Sequence, residues 1–320
     1  MINHNSKIYI AGHNGMVGSA CWRLLKKKGY NNLVGFSSNQ IDLRNFNDVF
    51  NLIKKENPDI IIDAAARVGG IMANSTYPYE FLMDNMLIQN NLIKSAYDLN
   101  IKKFIFLGSS CIYPKMAAQP ILEEYLMTGS LEETNQWYAI AKITGVKLIE
   151  ALRQQYNRDY VSLMPTNLYG PGDNYDLETS HVLPALIRKF HEAKIHNASE
   201  VVIWGTGTPK REFLYVDDMA EAGVFVMGLE DATYRQHIDP RQSHINVGYG
   251  SDITIEELAR TVMQVTGFSG KIIFDASKSD GSPRKLMSSK KLNMLGWQPR
   301  IDLVSGLKLA YEDFKVRTKN

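Results

Sequence analysis

The sequence predicts an α/β fold, a Rossmann-like doubly wound parallel sheet followed by a smaller C-terminal α/β lobe that binds substrate. Strand-like and helix-like segments alternate along the first half of the chain, and a glycine-rich turn follows the first strand. Composition agrees with this prediction, because 320 residues with 44% hydrophobic and 22% charged content can form one large core and a lobe.

The first strand and the turn after it predict a dinucleotide site. The apolar strand 7–11 runs into a turn that contains Gly12, Gly15 and Gly18, and a helical pattern then begins. Glycines at this junction let backbone amides approach a pyrophosphate, and the helix N-terminus favours negative charge there. We therefore expect the segment 12–18 to bind a dinucleotide cofactor.

The alternation continues to residue 165 and predicts right-handed crossovers between parallel strands. Gly29 after the first helix and Pro58 before the third strand are typical stop signals. The predicted elements are strand 32–37, helix 46–56, strand 59–63, helix 79–99, strand 103–108, helix 135–157 and strand 159–165.

The regularity weakens after Pro165, where the substrate lobe is expected to begin. We assign 1–166 to a dinucleotide-binding domain, to which parts of 205–250 return, and 167–320 mainly to the lobe. The elements predicted there are a helix near 181–194, strands near 201–204 and 213–216, helix 217–228, a polar connector 230–243, strand 244–247, helix 254–266, strand 271–274 and a helix near 302–316.

Charge and cysteine content exclude several classes of protein. A formal net charge of +2 is too small for a nucleic-acid footprint. Residues 1–6 are polar and no run approaches the length of a membrane span, so we expect a cytoplasmic protein. Two cysteines are too few for a disulfide framework, and no Cys/His cluster has metal-ligand spacing. Of the two, Cys21 is expected to pack inside a helix–sheet core.

A tyrosine and a lysine four residues apart form the candidate reductive pair. Tyr138 and Lys142 lie on one face of the predicted helix 135–157. The ammonium can lower the proton affinity of the phenol, and a phenol poised in this way can protonate a carbonyl oxygen. The sequence therefore indicates a site that reduces a ketone.

The context of the pair matters more than its spacing. The apolar strand 103–108 ends just before Ser109, at the kind of strand end where α/β sheets place their chemistry. A second pair with the same spacing, Tyr311 and Lys315, has no serine-bearing strand end before it. We take that second pair as coincidental.

The chain resembles the extended short-chain dehydrogenase/reductase family, and within it the enzymes that act on GDP-linked 4-keto-6-deoxy sugars. The similarity runs from about Lys7 to beyond Lys291. Its most specific segments are 12–18, 108–114, 138–142, 165–171, 180–181, 204–205, 211–213 and 280–285.

The resemblance implies a reductive triad of Ser109, Tyr138 and Lys142, with Cys111 as base and His181 as acid of an epimerising pair. Protons at C3 and C5 flank a C4 ketone, so removing either leaves an enolate that Ser109 and Tyr138 can hold by hydrogen bonds. A thiol with an ordinary pKa of about 8.5 is mostly protonated at neutral pH, so nearby positive charge is expected to lower the pKa of Cys111. From the residues alone, a packed cysteine and a capping histidine remain the alternative.

The resemblance also implies NADP(H) as the cofactor. In many family members arginines hold the extra phosphate at the positions of Asn14 and Ser38, which are uncharged here. The second strand has no acidic residue at its end to repel that phosphate, so NADPH is expected over NADH. The expected cofactor-binding residues are Gly12, His13, Asn14, Gly15, Met16, Val17, Gly18, Leu43, Leu107, Gly108, Ser109, Ser110, Lys142, Pro165, Thr166, Asn167, Leu168 and His181.

For the guanosine diphosphate end, the resemblance indicates Lys189, Trp204, Arg211, Asp280 and Lys285. A diphosphate needs positively charged donors, and an aromatic plane can stack on a base or a ribose. The alternative for Arg211 is an ordinary ion pair with Glu212 or Asp217.

The implied activity is NADPH-dependent conversion of GDP-4-keto-6-deoxy-D-mannose to GDP-L-fucose by 3,5-epimerisation and then 4-keto reduction. The alternative is a reductase or epimerase/reductase for a related GDP-4-keto-6-deoxy sugar such as a heptose. A dehydratase is disfavoured because Ser110 and Cys111 stand where an acidic pair is needed, and a 4-epimerase has no use for a thiol base. A regulatory dinucleotide-binding module is disfavoured because such modules commonly lose the tyrosine, whereas Ser109, Tyr138 and Lys142 are all present here. By analogy with the family, helices 79–99 and 135–157 are expected to form a four-helix homodimer interface.

Overall fold

The computed structural model describes residues 2–278 and 280–318. Its strands are β1 (Ile8–Ala11), β2 (Leu33–Val34), β3 (Ile60–Asp63), β4 (Lys103–Leu107), β5 (Asp159–Pro165), β6 (Asn167–Tyr169), β7 (Glu200–Trp204), β8 (Lys210–Tyr215), β9 (His244–Val247), β10 (Asp252–Thr254), β11 (Lys271–Asp275) and β12 (Arg284–Lys285). Its α-helices are α1 (Met16–Lys27), α2 (Phe46–Glu56), α3 (Ile71–Thr76), α4 (Pro78–Asp98), α5 (Gln136–Tyr156), α6 (Val182–Ile195), α7 (Val216–Gly228), α8 (Asp231–His237), α9 (Ile255–Thr266), α10 (Lys290–Met294) and α11 (Leu303–Arg317).

The central sheet has six parallel strands in the order β2-β1-β3-β4-β5-β9. The chain leaves β1 in one direction to β2 and then crosses back past β1 to β3, which is the switch of a doubly wound sheet. The predicted fold class is therefore confirmed. β9, the edge strand of this sheet, pairs with β5 although the segment 166–243 lies between the two strands in sequence.

Helices cover both faces of the central sheet. One face packs against α1 and α7 through a core that includes Ile10, Cys21 and Met219. The other packs against α2, α4 and α5 through residues such as Tyr9 and Ile149. Because β1, β3 and β4 are buried on both sides, they are apolar runs without alternation, apart from Asp63 at the end of β3 and Lys103 at the start of β4. As expected, Cys21 is a buried packing residue.

The C-terminal half adds two smaller sheets and a core of its own. β8 pairs with β6, β10 and β12, and β7 pairs with β11. α6, α9 and α11 share the apolar core beside these strands. α9 begins with a capping box, in which the Glu257 amide donates to the Thr254 hydroxyl and the Thr254 amide donates to the Glu257 carboxylate, and it ends at Gly267 in the left-handed conformation.

Every helix and strand predicted from the sequence is present, with boundaries shifted by a few residues. The polar connector predicted at 230–243 is wrong in part, because it contains α8. There the Tyr234 hydroxyl donates to the Ser243 carbonyl, and the Arg153 guanidinium lies 4.6 Å from the centroid of the Tyr234 ring. Among the described residues, no helix is long and apolar enough to cross a membrane.

Candidate active site

The glycine turn after β1 forms a cradle that side chains would fill. Gly12 has φ +77°, and a Cβ on it would lie 2.7 Å from the Ala64 carbonyl oxygen. A Cβ on Gly18 would overlap the Gly12 carbonyl, so the glycine permits α1 to approach β1 closely. Gly15 is the N-cap of α1 and leaves the first amides of the helix uncovered by a side chain. These features fit a dinucleotide pyrophosphate.

The side chains of His13, Asn14 and Ser38, which follow β1 and β2, are uncharged. The His13 ring lies directly over the Cα of Gly35, where a Cβ would overlap it, and 5.6 Å from the Trp22 ring. Burial lowers the pKa of His13, so the ring is neutral at pH 7. Asn14 and Ser38 are both exposed. Polar groups, together with backbone amides, can therefore contact a phosphate here without a guanidinium.

Most of the other predicted cofactor residues lie at the carboxyl ends of β4 and β5, and the rest lie in α1, in β6 and in the loop before α2. The Leu107 carbonyl accepts from Lys142, and the Gly108 amide donates to the Leu163 carbonyl at 2.9 Å. Thr166 and Asn167 both donate from their side chains to the backbone carbonyl of Glu212. Pro165 ends β5, and Ser110 begins the 3-10 turn after β4. Leu168 lies in β6. Leu43 lies in the loop before α2, where its carbonyl accepts from the Asn91 side chain. Met16 and Val17 occupy the first turn of α1.

The residues of the predicted reductive triad lie just after β4 and on α5. The Lys142 ammonium donates to the Leu107 carbonyl at 2.9 Å and lies 5.9 Å from the centroid of the Tyr138 ring. Burial lowers the pKa of Lys142, and the charges of Asp63 and Cys111 partly offset this effect. Burial, followed by the charges of Cys111 and Asp63, raises the pKa of Tyr138. The expected lowering of the proton affinity of the phenol is therefore wrong for this structure, because burial is the larger effect. The phenol is protonated at neutral pH, which is the form that a proton donor needs.

Ser109 and Cys111 occupy the turn directly after β4. The Ser109 hydroxyl accepts from the Cys111 amide at 3.3 Å and so caps the 3-10 turn Ser110–Ile112. Burial raises the pKa of the Cys111 thiol, while Lys285, the Ser109 side chain and Lys142 act in the opposite direction. The expected neighbouring cations are present, but the expected net lowering of the pKa is wrong because desolvation is the larger effect.

His181 is the N-cap residue of α6, but its side chain makes no capping hydrogen bond. His181 is exposed, and desolvation of its ring by the surrounding atoms lowers its pKa. The backbone just before it is bound to the loop after β3, because the Gly70 amide donates to the Thr179 carbonyl at 2.8 Å. This contact ties the His181 backbone to the central sheet.

The predicted GDP-binding residues lie in two groups within the C-terminal half. Parallel pairing of β8 with β12 sets Arg211 directly opposite Lys285. The Lys189 ammonium lies 5.7 Å from the centroid of the Trp204 ring, which is 57% exposed. Asp280 accepts from the amide and hydroxyl of Thr206 and so fixes the turn after Trp204. The alternative ion pairs of Arg211 are not formed, since Glu212 accepts from the Gly250 and Met287 amides and Asp217 pairs with Arg23.

Three residues that sequence reasoning missed lie at the site. The negative charge of Glu132 raises the pKa values of Arg211 and Lys285, against the effect of burial. Its carboxylate pairs with Lys115 at 3.1 Å and accepts from the Ser282 hydroxyl. Lys278 provides a second cation 5.5 Å from the Trp204 ring centroid. Asp63 ends β3 and is fully buried. None of these positions carries a local sequence signal beyond its charge.

Comparison with known proteins places this fold and site in a defined class. Residues 8–248 match the NAD dependent epimerase/dehydratase family, and the chain belongs to that family. Curated relatives include GDP-L-fucose synthase from Escherichia coli K12, 51% identical over 96% of each chain, and GDP-L-fucose synthase 1 from Arabidopsis thaliana, 52% identical over 98% of this chain and 94% of the relative.

A solved structure extends the comparison to a protein that is named for a GDP-linked heptose. A GDP-D-glycero-L-gluco-heptose synthase from Campylobacter jejuni, determined in the presence of NADPH, superposes with a TM-score of 0.91 and 35% identity. It covers 98% of this chain, and this chain covers all of it. The similarity therefore spans both the cofactor cradle and the C-terminal half.

Proposed function

We propose that this protein converts GDP-4-keto-6-deoxy-D-mannose to GDP-L-fucose, by 3,5-epimerisation and then NADPH-dependent reduction at C4. The observation that carries the proposal is the position of Cys111, within the same small site as Ser109, Tyr138 and Lys142. The curated GDP-L-fucose synthases at about half identity support it over the full chain.

In the reductive step, NADPH supplies the hydride that converts the C4 ketone to an alcohol. The phenol of Tyr138 donates its proton to the C4 oxygen, and its raised pKa ensures that the proton is present. Ser109 donates a hydrogen bond to the same oxygen, and the Lys142 ammonium stabilises the phenolate that remains. The glycine turn 12–18 and the ends of β4 and β5 would hold the cofactor.

In the epimerising steps, the Cys111 thiolate accepts the proton from C3 or C5, and the electron pair moves to the C4 oxygen as an enolate. Ser109 and Tyr138 stabilise that oxygen by hydrogen bonds. His181 returns a proton to the opposite face of the carbon, which inverts the centre. Lys285 favours the thiolate by its positive charge.

For the nucleotide end, we propose that Arg211, Lys285 and Lys189 bind the diphosphate and that the exposed Trp204 ring stacks on the nucleoside. Asp280 holds the turn that presents Trp204. A heptose-linked GDP-4-keto sugar is the second candidate substrate, because the heptose synthase from Campylobacter jejuni shares the fold over the whole chain.

The first prediction separates epimerisation from reduction. With GDP-4-keto-6-deoxy-D-mannose and NADPH in heavy water, the wild type should give GDP-L-fucose with deuterium at C3 and C5. Cys111→Ser replaces the ionisable thiol with a far weaker acid, so deuterium incorporation should fall by about 10²-fold or more. Slow NADPH oxidation should persist and give a GDP-6-deoxy sugar of the D series. Because the pKa of Cys111 is raised, wild-type incorporation should increase as the pH rises through neutrality.

Cys21→Ala is the matched control, because this thiol lies in the core under α1. The control should keep the wild-type pattern of deuterium. If Cys111→Ser incorporates deuterium at both carbons as fast as the wild type, Cys111 is a packing residue and the reductase alternative is the better assignment. If the wild type turns over only a heptose substrate, the second candidate is correct.

Three further expectations remain proposals on the same basis. We propose that 1–166 with parts of 205–250 binds the cofactor and that 167–320 mainly binds the sugar nucleotide, as the return of β9 to the central sheet supports. We propose a homodimer through α4 and α5. The cytoplasmic location stays a prediction.

A further inference from the structure

Asp63 is a buried carboxylate at the centre of the sheet, and the proposed mechanism does not use it. It is the last residue of β3 and is 0% exposed. Its Oδ1 accepts from the Ala65 amide at 3.1 Å, while its Oδ2 is buried without a hydrogen-bond partner among the described residues. A carboxylate oxygen left in this state is costly, so its presence here calls for a physical reason.

The sheet register puts Asp63 beside the reductive pair. Asp63 lies opposite Ala11 of β1 and Phe106 of β4. Side chains of residues paired across strands lie on the same face, and the Lys142 ammonium is 4.7 Å from the centroid of the Phe106 ring. Asp63 and Lys142 therefore share the face of the sheet that α5 covers.

Few other titratable groups face this pair. β1 contributes Tyr9, whose buried hydroxyl has no hydrogen-bond partner among the described residues and whose pKa is raised by burial and then by Asp63. α5 contributes Tyr138 and the turn after β4 contributes Cys111, which itself faces Lys285 of β12. α4 contributes the neutral Gln89, which donates to the Ala141 carbonyl.

We propose that Asp63 is a positioning residue of the reductive site, whose carboxylate keeps the Lys142 ammonium protonated and so supports the Tyr138 phenol as acid. This inference rests on the proposed roles of Tyr138 and Lys142. Lys142 is almost fully buried, and among the described residues its ammonium has one hydrogen bond, to the Leu107 carbonyl, which by itself is a weak substitute for water. An opposite charge on the same face offsets that loss.

The charge states are consistent with this role at neutral pH. Burial raises the pKa of Asp63 from 3.8 to about 6, and Lys142 and the Ala65 amide limit the rise. Asp63 is therefore ionised at pH 7 and above. Its negative charge raises the pKa values of both Lys142 and Tyr138, against burial in the first case and together with burial in the second. Removing that charge should lower both pKa values, so both should lose their protons at lower pH.

The test is the alkaline limb of the pH profile for NADPH oxidation. Asp63→Asn keeps the shape and the acceptor for the Ala65 amide but removes the charge. Its alkaline limb should move to lower pH by about one unit or more, so that the variant matches the wild type within about twofold at pH 6.5 and falls about tenfold behind it at pH 9. Asp59→Asn is the matched control, because Asp59 lies at the other end of the same strand region and bonds Lys102. Its profile should match that of the wild type.

A second readout does not depend on turnover. Because the folded pKa of Asp63 lies above its unfolded value, the carboxylate lowers stability increasingly as the pH rises from about 4 to about 6. The melting temperature of Asp63→Asn, relative to wild type, should therefore increase over that range and then level off, and Asp59→Asn should not show this increase.

An unchanged alkaline limb in Asp63→Asn would overturn the proposal, as would a flat difference in melting temperature between pH 4 and 7. If the Asn variant does not fold, Asp63→Leu removes the same charge with an apolar side chain and must show the same downward movement of the limb. By contrast, a wild type that fails to oxidise NADPH with any GDP-4-keto sugar overturns the proposed function, a result that is separate from the behaviour of Asp63.

Discussion

At the scale of single residues, Tyr138 is the side chain whose chemistry the surroundings define most clearly. Because its pKa is raised, the phenol is protonated before the reaction and can act as an acid. In the proposed mechanism, the neighbouring Lys142 ammonium stabilises the phenolate that remains after proton transfer. Tyr138→Phe removes the donor and little volume. We expect kcat for NADPH oxidation to fall by about 10²-fold or more, with the Kd for NADPH within about twofold of wild type.

Stopped-flow absorbance of NADPH with the keto sugar measures the first quantity, and nucleotide fluorescence measures the second. Wild-type turnover by Tyr138→Phe would show that another group protonates the ketone. Tyr311→Phe is the matched control, because Tyr311 has the same spacing to Lys315 but bonds His191 in the C-terminal half. That variant should keep wild-type activity.

The candidate site residues that the sequence could indicate are those with a local pattern. Tyr138, Lys142 and Ser109 have a fixed spacing and a strand end to mark them, and resemblance added Cys111. The position of Lys285 beside Cys111 depends on the pairing of β12 with β8, which no local pattern predicts. No local pattern distinguishes Asp63 from other aspartates at strand ends. Only the pairing of β3 with β4 shows that Asp63 lies on the same face of the sheet as Lys142.

At the scale of elements, the contact between the loop after β3 and the backbone before α6 is a sharp target. A Cβ on Gly70 would lie 2.6 Å from the Ser180 carbonyl oxygen. Because that oxygen belongs to the backbone and cannot turn aside as a side chain could, the two loops must separate. Gly70→Ala should displace His181 and slow deuterium incorporation by about tenfold, while the Kd for NADPH stays within about twofold.

Gly223→Ala provides the comparison, because a Cβ on Gly223 in α7 meets no atom within 4 Å. Alanine should favour that helix by up to about 1 kcal/mol and leave both activities unchanged. Wild-type incorporation by Gly70→Ala would mean that the contact does not position His181.

Elements could be predicted from the sequence where a period or a run was long enough to detect. β5 is a mostly apolar strand that ends at Pro165, β9 is a short strand that ends just before Gly248, and α9 has its capping box and terminal glycine. By contrast, β6, β10 and β12 have three residues or fewer, so their formation depends on pairing with β8 and not on a pattern of their own. α8 was missed for a related reason, since only Tyr234 of its residues is buried.

At the scale of the whole molecule, the outer faces of α4 and α5 expose an unusual set of apolar side chains. Tyr79, Met83 and Leu87 recur every four residues on α4 and are 67%, 37% and 37% exposed, while Trp137 and Ile140 on α5 are 39% and 37% exposed. Ile140→Glu should therefore convert the proposed dimer to a monomer, because a carboxylate is costly in an apolar interface.

Sedimentation velocity at micromolar concentration distinguishes the two states. Val316→Glu on α11 is the control, since Val316 is 64% exposed and lies on a different helix, and it should sediment like the wild type. A monomeric wild type, or a dimeric Ile140→Glu, would contradict the assignment of this interface.

The late return of β9 to the central sheet has a consequence for synthesis on the ribosome. β5 emerges with its outer edge unpaired, and its partner follows only after 166–243 has been translated, a delay on the order of ten seconds. During that interval the nascent chain exposes an apolar strand edge, which is a template for association with other chains. The order of strands therefore makes the half-made polypeptide the form most in need of a chaperone.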